Sequence, residues 1–174
     1  EDVDRLRRGL IAFLWGRAGL PTALPSRVLQ DFEDSRFGDL APLDRIERIE
    51  ISMGFGLQSC AYHFIPKAAN HHVVLYHEGH RGDFLESRRQ IGSLLEHGYA
   101  VVALSMPLLG QNNQPTLQLP RLGRLKLTSH DHMKFLAPER GHPVQYFLEP
   151  VVVVLNYLEA NFAYSSISMV GISG

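Results

Sequence analysis

The sequence predicts an α/β fold built on a doubly wound, mostly parallel sheet, with an antiparallel hairpin ahead of it. Short apolar segments at residues 73–76 and 99–104 are typical of strands that are buried on both faces of a sheet. Residues 166–170 form a third predicted strand, and helical patterns separate the three along the chain. The order strand, helix, strand, helix, strand is typical of doubly wound α/β proteins.

The composition is that of a globular protein of 174 residues, 45% hydrophobic and 20% charged. Lysine and arginine number 17 against 18 acidic residues, so nucleic acid is not an expected partner. Cys60 is the only cysteine, which excludes an internal disulfide and a thiolate zinc cluster. No apolar run approaches the roughly 20 residues that cross a bilayer, so we expect a soluble protein, cytoplasmic or secreted after removal of a signal peptide.

The N-terminal residues predict a helix followed by a connecting segment. Apolar residues recur with helical spacing in residues 2–17, and we interpret them as the packing face of a helix at the domain edge rather than as a membrane or partner helix. Prolines and glycines in residues 19–43 indicate a connection. We therefore predict a first unit at residues 1–44 and the main domain at residues 45–174.

An antiparallel hairpin is predicted at the start of the main domain. Residues 49–53 and 60–64 carry apolar side chains at alternate positions, and Gly54, Phe55 and Gly56 separate the two segments.

Residues 73–104 predict a strand, a helix and a parallel strand. Asp83 and Glu86 have the spacing of a capping box, and Gly98 marks the end of the helix. The face of this helix is formed by Phe84, Ile91, Leu94 and Leu95. The tripeptide at residues 81–83 is better explained by the turn and N-cap of this helix than by an adhesion signal.

Residues 105–141 contain four prolines and predict a long irregular segment, either a lid or binding wall or a stretch that holds short helices. Within it, residues 110–113 fit the mouth of a site and a polar turn equally well. A helix is then preferred to a strand of valines, with Pro150 at its start or at a kink. Its predicted face is Phe147, Val151, Val154, Leu155 and Leu158.

The carboxyl ends of the three parallel strands are the expected site, because ligands meet open parallel sheets there. The third end carries Gly171-Ile172-Ser173-Gly174, which fits a nucleophile elbow: a serine on a sharp strand-to-helix turn needs small neighbours. Ser173 is therefore the candidate nucleophile. Histidine pairs elsewhere lack the His-Glu-x-x-His spacing of a zinc helix, so neither a metal nor another cofactor is expected.

Residues 72–174 resemble the α/β-hydrolase superfamily. His77-Glu78-Gly79-His80 resembles its His-Gly oxyanion loop, and residues 94–104 resemble its helix-to-strand passage. Glu78 stands where the family often has glycine, and the last glycine of Gly-x-Ser-x-Gly would be residue 175.

The resemblance implies a serine hydrolase whose triad acid and histidine follow Ser173, so that a chain ending at Gly174 is the N-terminal part of the fold. It also implies oxyanion donors at the backbone N–H of Gly174 and of Glu78 or Gly79. His77, His80 and Met106 are expected to line the site.

A small-molecule or peptide acyl substrate follows from the resemblance, with ester, thioester, lactone and peptide all open, and oligomeric state is not predicted. The alternative is a non-catalytic α/β-hydrolase-like module that keeps the pocket for binding. A chain that ends at Gly174 is expected to be inactive and prone to aggregate, because one sheet edge and one apolar face stay uncovered.

Overall fold

A mixed sheet of six strands carries helices on both of its faces. The structure is a computed structural model that describes residues 2–79, 82–120, 123–138 and 141–171. The helices are α1 (Val3–Trp15), α2 (Arg88–Glu96) and α3 (Gln145–Asn161). The strands are β1 (Arg27–Leu29), β2 (Leu43–Ser52), β3 (Gln58–Pro66), β4 (His72–His77), β5 (Ala100–Leu104), β6 (Thr116–Leu119), β7 (Gly123–Lys126) and β8 (Ser166–Gly171).

The strand order in the sheet is β1-β2-β3-β5-β4-β8. Strands β1, β2, β3 and β5 pair antiparallel in turn, and β5, β4 and β8 pair parallel. The protein is therefore mixed α/β, with a parallel central part and antiparallel N-terminal strands, as the apolar patterns predicted.

The predicted hairpin is confirmed as β2 and β3. Glu50 lies opposite Cys60 and Glu47 opposite His63, with a short turn at Gly54–Gly56 between the strands. β3 is buried along almost its whole length, because helices cover both faces of the sheet there. β1 adds three residues to the outer side of β2, inside the segment predicted as a connection.

The two crossovers of the parallel part place their helices on opposite faces. α2 contributes Ile91 and Leu95 to a core cluster that contains Tyr62 and Phe64. α3 contributes Val153, Val154, Tyr157 and Leu158 to a second cluster, on the face of Ile49, Leu75 and Val102. This is the doubly wound arrangement, since β5 and β8 lie on opposite sides of β4.

The helix between β4 and β5 starts later than its sequence predicts. Asp83 caps a short 3₁₀ helix at Phe84–Glu86, where its side chain accepts a hydrogen bond from the N–H of Leu85 at 3.1 Å. The α-helix begins at Arg88, after Ser87. Gly98 follows the helix with φ 79°, a value that favours glycine, as predicted.

The helix after the long segment is confirmed and the strand alternative is wrong. α3 runs from Gln145 to Asn161 and passes through Pro150, so Pro150 does not start it. The valines at 151–154 fill its second and third turns and bury Val153 and Val154 against the sheet.

Residues 105–141 contain more regular structure than predicted. β6 and β7 form a separate antiparallel hairpin, and a 3₁₀ helix follows at His130–Phe135. The two strands are four residues long, with exposed and partly buried positions in alternation, so their apolar positions are too few to give a clear pattern in the sequence. Leu117 and Leu125 pack beside a third buried cluster that includes Leu127 and Tyr146.

The N-terminal helix is confirmed, but its predicted packing face is wrong. Leu14 and Trp15 are buried in its last turn, whereas the apolar stripe of the earlier turns is exposed. Four residues of that stripe, Val3, Leu6, Leu10 and Phe13, are 68%, 51%, 58% and 57% exposed. The helix contacts the described part of the chain through its end, where the N–H of His142 donates to the carbonyl of Leu14 at 3.0 Å. Within the described ranges, no helix is long and apolar enough to cross a membrane.

Candidate functional site

The three parallel strands end at the same level of the sheet. His77, the last residue of β4, lies opposite Leu104 of β5 on one side and Gly171 of β8 on the other. The loops after β4 and β5 therefore leave the sheet at the same end, which is the end where ligands meet open parallel sheets. Ser173, Gly174 and His80 lie outside the described residues.

The loop after β4 is folded around the side chain of Glu78. The hydroxyl of Tyr76 donates to Glu78 Oε1 at 2.7 Å, and the hydroxyl of Ser87 donates to the same oxygen. Gly82 lies so close that a Cβ there would be 2.6 Å from Glu78 Oε2. The carboxylate thus ties the end of β4 to the residue that precedes α2.

The backbone of this loop distinguishes the two candidate oxyanion donors. The N–H of Glu78 donates to the carbonyl of Leu104 at 3.3 Å and extends the parallel ladder by one step. The next residue, Gly79, begins a turn in which its carbonyl accepts from the N–H of Gly82 at 2.9 Å. Gly79 is therefore the first residue of the loop beyond the ladder.

The loop after β5 is packed onto the loop after β4. The buried hydroxyl of Ser105 accepts from the N–H of Phe84 at 3.2 Å and donates to Asp83 Oδ1 at 3.3 Å. Gly110, with φ 56°, approaches the same carboxylate so closely that a Cβ would lie 2.6 Å from Asp83 Oδ1. Met106, predicted to line the site, is half-buried directly after Ser105.

Residues 110–113 hold this loop against β3. The side chain of Asn112 accepts from the N–H of Cys60 at 2.8 Å and donates to the carbonyl of Met106 at 2.8 Å. Asn113 accepts from the N–H of Gln58 at 2.7 Å. β5 ends at Leu104, whereas β3 extends beyond this end of its partner. The two side-chain amides accept the hydrogen bonds that the backbone of a longer β5 would accept from β3. For the two asparagines, these hydrogen bonds favour the interpretation as a polar turn over the interpretation as the mouth of a site. Adjacent asparagines after a short strand are the sequence signal for such a turn.

His77 is half-buried at the last position of β4. Burial lowers the pKa of His77 below its ordinary value, although the backbone and charge of Glu78 act in the opposite direction. The imidazole is therefore uncharged near neutral pH. Its predicted place in the lining of the site stays a prediction.

A separate hydrogen-bond network of a carboxylate, a histidine and two tyrosine hydroxyls lies in the core. Glu47 Oε2 is 3.0 Å from His63 Nδ1 and also accepts from the hydroxyl of Tyr157 at 3.1 Å. His63 Nε2 is 2.8 Å from the hydroxyl of Tyr164. The sequence reasoning missed this buried network. Counting outward from the predicted turn would have placed Glu47 opposite His63, as it is in the hairpin.

The electrostatics of this set make it structural rather than catalytic. Burial lowers the pKa of His63, against the hydrogen bond and charge of Glu47. Burial acts to raise the pKa of Glu47, but the hydrogen bonds from His63 and Tyr157 outweigh it and hold that pKa below its usual value. Burial also raises the pKa of Tyr164 to about 12. A neutral His63 with no exposed surface, bonded to a protonated tyrosine, offers no nucleophile to a substrate.

Within residues 2–79, 82–120, 123–138 and 141–171, no group of three or more histidine, cysteine, aspartate and glutamate residues has an arrangement that could hold a metal ion. The polar side chains of Glu78, Asp83 and Asn112 at this end of the sheet make internal hydrogen bonds instead. What this end of the sheet offers chemically is the backbone of Gly79, the first residue of the loop beyond the ladder.

No family model matches the sequence, and no curated protein matches it. Solved structures do match. A provisionally assigned acetyl xylan esterase from Bacteroides fragilis is 16% identical, with a TM-score of 0.63 over 97% of this chain and 45% of that one. The acetyl xylan esterase from Paenibacillus sp. R4 is 14% identical, with a TM-score of 0.52 over 84% of this chain and 46% of that one. The esterase Pf2001 from Pyrococcus furiosus is 17% identical, with a TM-score of 0.51 over 88% of this chain and 49% of that one.

The chain spans about half the length of each of these structures. At sequence identities this low, the similarity to these structures establishes a shared fold only. The protein therefore shares with known esterases a mixed α/β hydrolase-like fold, over somewhat less than half of their length.

Proposed function

We propose that this chain is the N-terminal part of an α/β-hydrolase domain, residues 45–174, in a serine hydrolase that cleaves an acyl ester or amide. The observation that carries the proposal is the common level at which β4, β5 and β8 end, opposite one another at His77, Leu104 and Gly171. Ser173 follows Gly171 by two residues in the sequence. The fold shared with esterases supports ester cleavage.

In the proposed reaction the hydroxyl oxygen of Ser173 attacks the carbonyl carbon of the substrate. Its proton passes to a histidine, which the resemblance expects after Ser173 together with the acid that orients it. The carbonyl electrons move to the oxygen and return as the alcohol or amine leaves with that proton. Water then repeats the sequence on the acyl-serine, releasing the acid and the free hydroxyl.

The oxyanion is proposed to accept from the backbone N–H groups of Gly174 and Gly79. We retain Gly79 rather than Glu78 because the N–H of Glu78 already donates to Leu104. One such donor is worth about 3 kcal/mol in the transition state. The position of Gly79 therefore matters to the rate, and the Glu78 carboxylate, bonded to Tyr76 and Ser87, is the group that supports it.

Labelling with a fluorophosphonate tests the proposal directly. The full-length protein is expected to react at Ser173, whose oxygen displaces fluoride from phosphorus, and peptide mass spectrometry locates the adduct. Heat-unfolded protein is the control, because only the folded site activates the serine. A folded protein that takes up no label at Ser173 would favour the alternative, a binding module on a hydrolase-like fold.

Glu78→Ala is expected to lower kcat for p-nitrophenyl acetate by about 10- to 100-fold with little change in KM, because the oxyanion donor at Gly79 loses its support. Glu78→Gln keeps an acceptor oxygen for Tyr76 and Ser87 and is expected to stay within about 3-fold of the natural enzyme.

Glu86→Ala is the matched control, since Glu86 is an exposed carboxylate in the 3₁₀ helix of the same loop. Steady-state kinetics on the three variants, with circular dichroism for folding, make the comparison. Equal losses for Glu78→Ala and Glu86→Ala would contradict the supporting role.

A further inference from the structure

Exposed apolar side chains are concentrated in the first 24 residues. Among the described residues, twelve large apolar side chains are exposed, and half of them lie between Val3 and Leu24. Two of these six follow α1, namely Leu20 and Leu24, which are 47% and 57% exposed. The other four form the stripe of α1 at Val3, Leu6, Leu10 and Phe13. Apolar surface that clusters in this way marks a contact with another molecule.

The same segment is strongly basic. Between Asp4 and Asp31 the sequence contains five arginines and no acidic residue, whereas the rest of the chain carries 12 basic and 18 acidic residues. The arginines are Arg5, Arg7, Arg8, Arg17 and Arg27, and all five are exposed. Within the described ranges, none of them forms a salt bridge. Their positive charge is therefore open to an anionic partner.

α1 separates these two properties around its axis. The stripe occupies one side, with spacings of three and four residues, and the arginines of the helix fall on its remaining sides. At the start of the helix, Asp2 is the N-cap and accepts from the N–H of Arg5 at 3.2 Å. Near its end, the ring of Phe13 stacks on His142 with the ring centres 4.8 Å apart, which holds the helix in place. An apolar side opposed by arginines is typical of helices that lie in the interface of a membrane.

The length of α1 sets its orientation on such a surface. Its 13 residues make a helix about 20 Å long, shorter than the roughly 30 Å hydrocarbon core of a bilayer. The helix therefore fits along the surface, with its apolar side toward the acyl chains and its guanidinium groups at the phosphates. Guanidinium groups make paired hydrogen bonds to phosphate oxygens, which adds to the attraction between opposite charges.

We propose that residues 3–24 bind the surface of an anionic lipid bilayer. The apolar stripe inserts among the acyl chains, and the arginines select negatively charged headgroups. A second copy of the chain fits this surface less well, because two such segments would bring their arginines together. A neutral apolar partner would cover the stripe and leave the charge of the arginines unmatched.

Flotation of the full-length protein with lipid vesicles tests the proposal. Vesicles of phosphatidylcholine with about 30% phosphatidylglycerol are expected to bind the protein at least 10-fold more strongly than vesicles of phosphatidylcholine alone, because each arginine near an anionic surface adds to the binding. Raising the salt concentration from about 50 to 500 mM is expected to weaken this binding, because salt screens the charges. No binding to the anionic vesicles, or equal binding to both compositions, would overturn the proposal.

Leu6→Gln/Leu10→Gln tests the role of the stripe. We expect it to weaken binding to the anionic vesicles by about 10-fold or more, because two inserting side chains become polar. Its melting temperature without lipid is expected to stay unchanged, since the two leucines are 51% and 58% exposed. Leu6→Met/Leu10→Met keeps apolar side chains of similar size and is the matched control, which is expected to bind as the natural protein does. Undiminished binding by the glutamine variant would contradict the proposal.

Arg7→Gln tests the role of the charge and is expected to weaken binding to the anionic vesicles by about 5-fold. Arg89→Gln, which removes an exposed arginine from α2, is the control and is expected to keep the binding. Equal losses in the two variants would show that the net charge of the protein, rather than this segment, attracts the vesicles.

The other possible occupants of the stripe give different results. A dimer in analytical ultracentrifugation that Leu6→Gln/Leu10→Gln abolishes would assign the stripe to a second copy of the chain. A lower melting temperature of that variant without lipid would assign it to the interior of the full-length protein. Either result would overturn the proposal. None of these measurements involves hydrolysis, so the outcome is independent of the proposed enzyme function.

Discussion

Ser173→Ala in the full-length protein is expected to lower kcat for p-nitrophenyl acetate by about ten-thousand-fold or more. The reason is that the proposed route needs the oxygen of Ser173 to form the acyl-enzyme, and the remaining oxyanion donors and substrate contacts accelerate only attack by water. KM is expected to change little, because the hydroxyl contributes to bond formation rather than to substrate binding. Steady-state kinetics on purified protein, with a circular dichroism spectrum for each variant, provide the measurement.

Ser168→Ala is the matched control for this prediction. Ser168 lies on the same strand, β8, three residues before the end of that strand, and is exposed. It is expected to keep the activity of the natural enzyme. If Ser173→Ala retained more than about a tenth of the activity, catalysis would run through another nucleophile and the proposed mechanism would be wrong.

His63→Leu is expected to lower the free energy of unfolding by about 3 to 5 kcal/mol, because it leaves the buried carboxylate of Glu47 without its main partner. Glu47 is 3% exposed and His63 is fully buried, so water cannot replace the lost hydrogen bond. Tyr157→Phe removes only the second donor to this carboxylate and is expected to cost about 1 to 3 kcal/mol. Urea unfolding followed by tryptophan fluorescence measures both changes.

The double variant Glu47→Leu/His63→Leu separates the unpaired charge from other effects. Replacing a buried ionisable pair by apolar residues of similar size is often nearly neutral, so the double variant is expected to be more stable than His63→Leu alone. A double variant that is less stable than His63→Leu would show that volume and packing, rather than the carboxylate, decide the stability at this place.

The same pair makes the stability of the natural protein fall in acid. The pKa of His63 is lowered in the folded state, so below about pH 6.5 the unfolded chain takes up a proton that the folded chain resists. The pKa of Glu47 is also lowered, so its contribution is lost at lower pH as the folded carboxylate becomes protonated. Both effects have the same sign, and the decline with falling pH is expected to be smaller in the double variant.

The sequence predicted β4 and β5 well, because these two strands are buried on both faces and read as short apolar runs. β8 was also predicted as a buried strand, but it is exposed along its whole length. Residues 73–76 and 99–104 fall within or beside β4 and β5. The short hairpin of β6 and β7 was missed because each strand has only four residues, with at most two apolar side chains, which is too short a pattern to distinguish from a loop. The exposed stripe of α1 could not be predicted, since periodicity reports that a helix is amphipathic and not what covers it.

The position of the loop after β4 was predictable from the sequence, but its internal contacts were not. The oxyanion role of Glu78 and Gly79 was implied by the family resemblance and stays a prediction. The partners of the Glu78 carboxylate could not be inferred, because Ser87 reaches it only when a 3₁₀ turn inserts before α2. The N–H of Glu78 was proposed as a donor because the sequence does not reveal how far a parallel ladder extends past the last apolar residue.

The buried carboxylate of Glu47 influences how cooperatively the protein unfolds. It accepts from the hairpin through His63 and from α3 through Tyr157, while His63 also holds Tyr164 ahead of β8. Detaching α3 would take the hydroxyl of Tyr157 away from this carboxylate, and detaching the segment ahead of β8 would take the hydroxyl of Tyr164 away from His63. Fluctuations that detach α3 or β8 separately are therefore penalised, and the three segments behave as one cooperative unit.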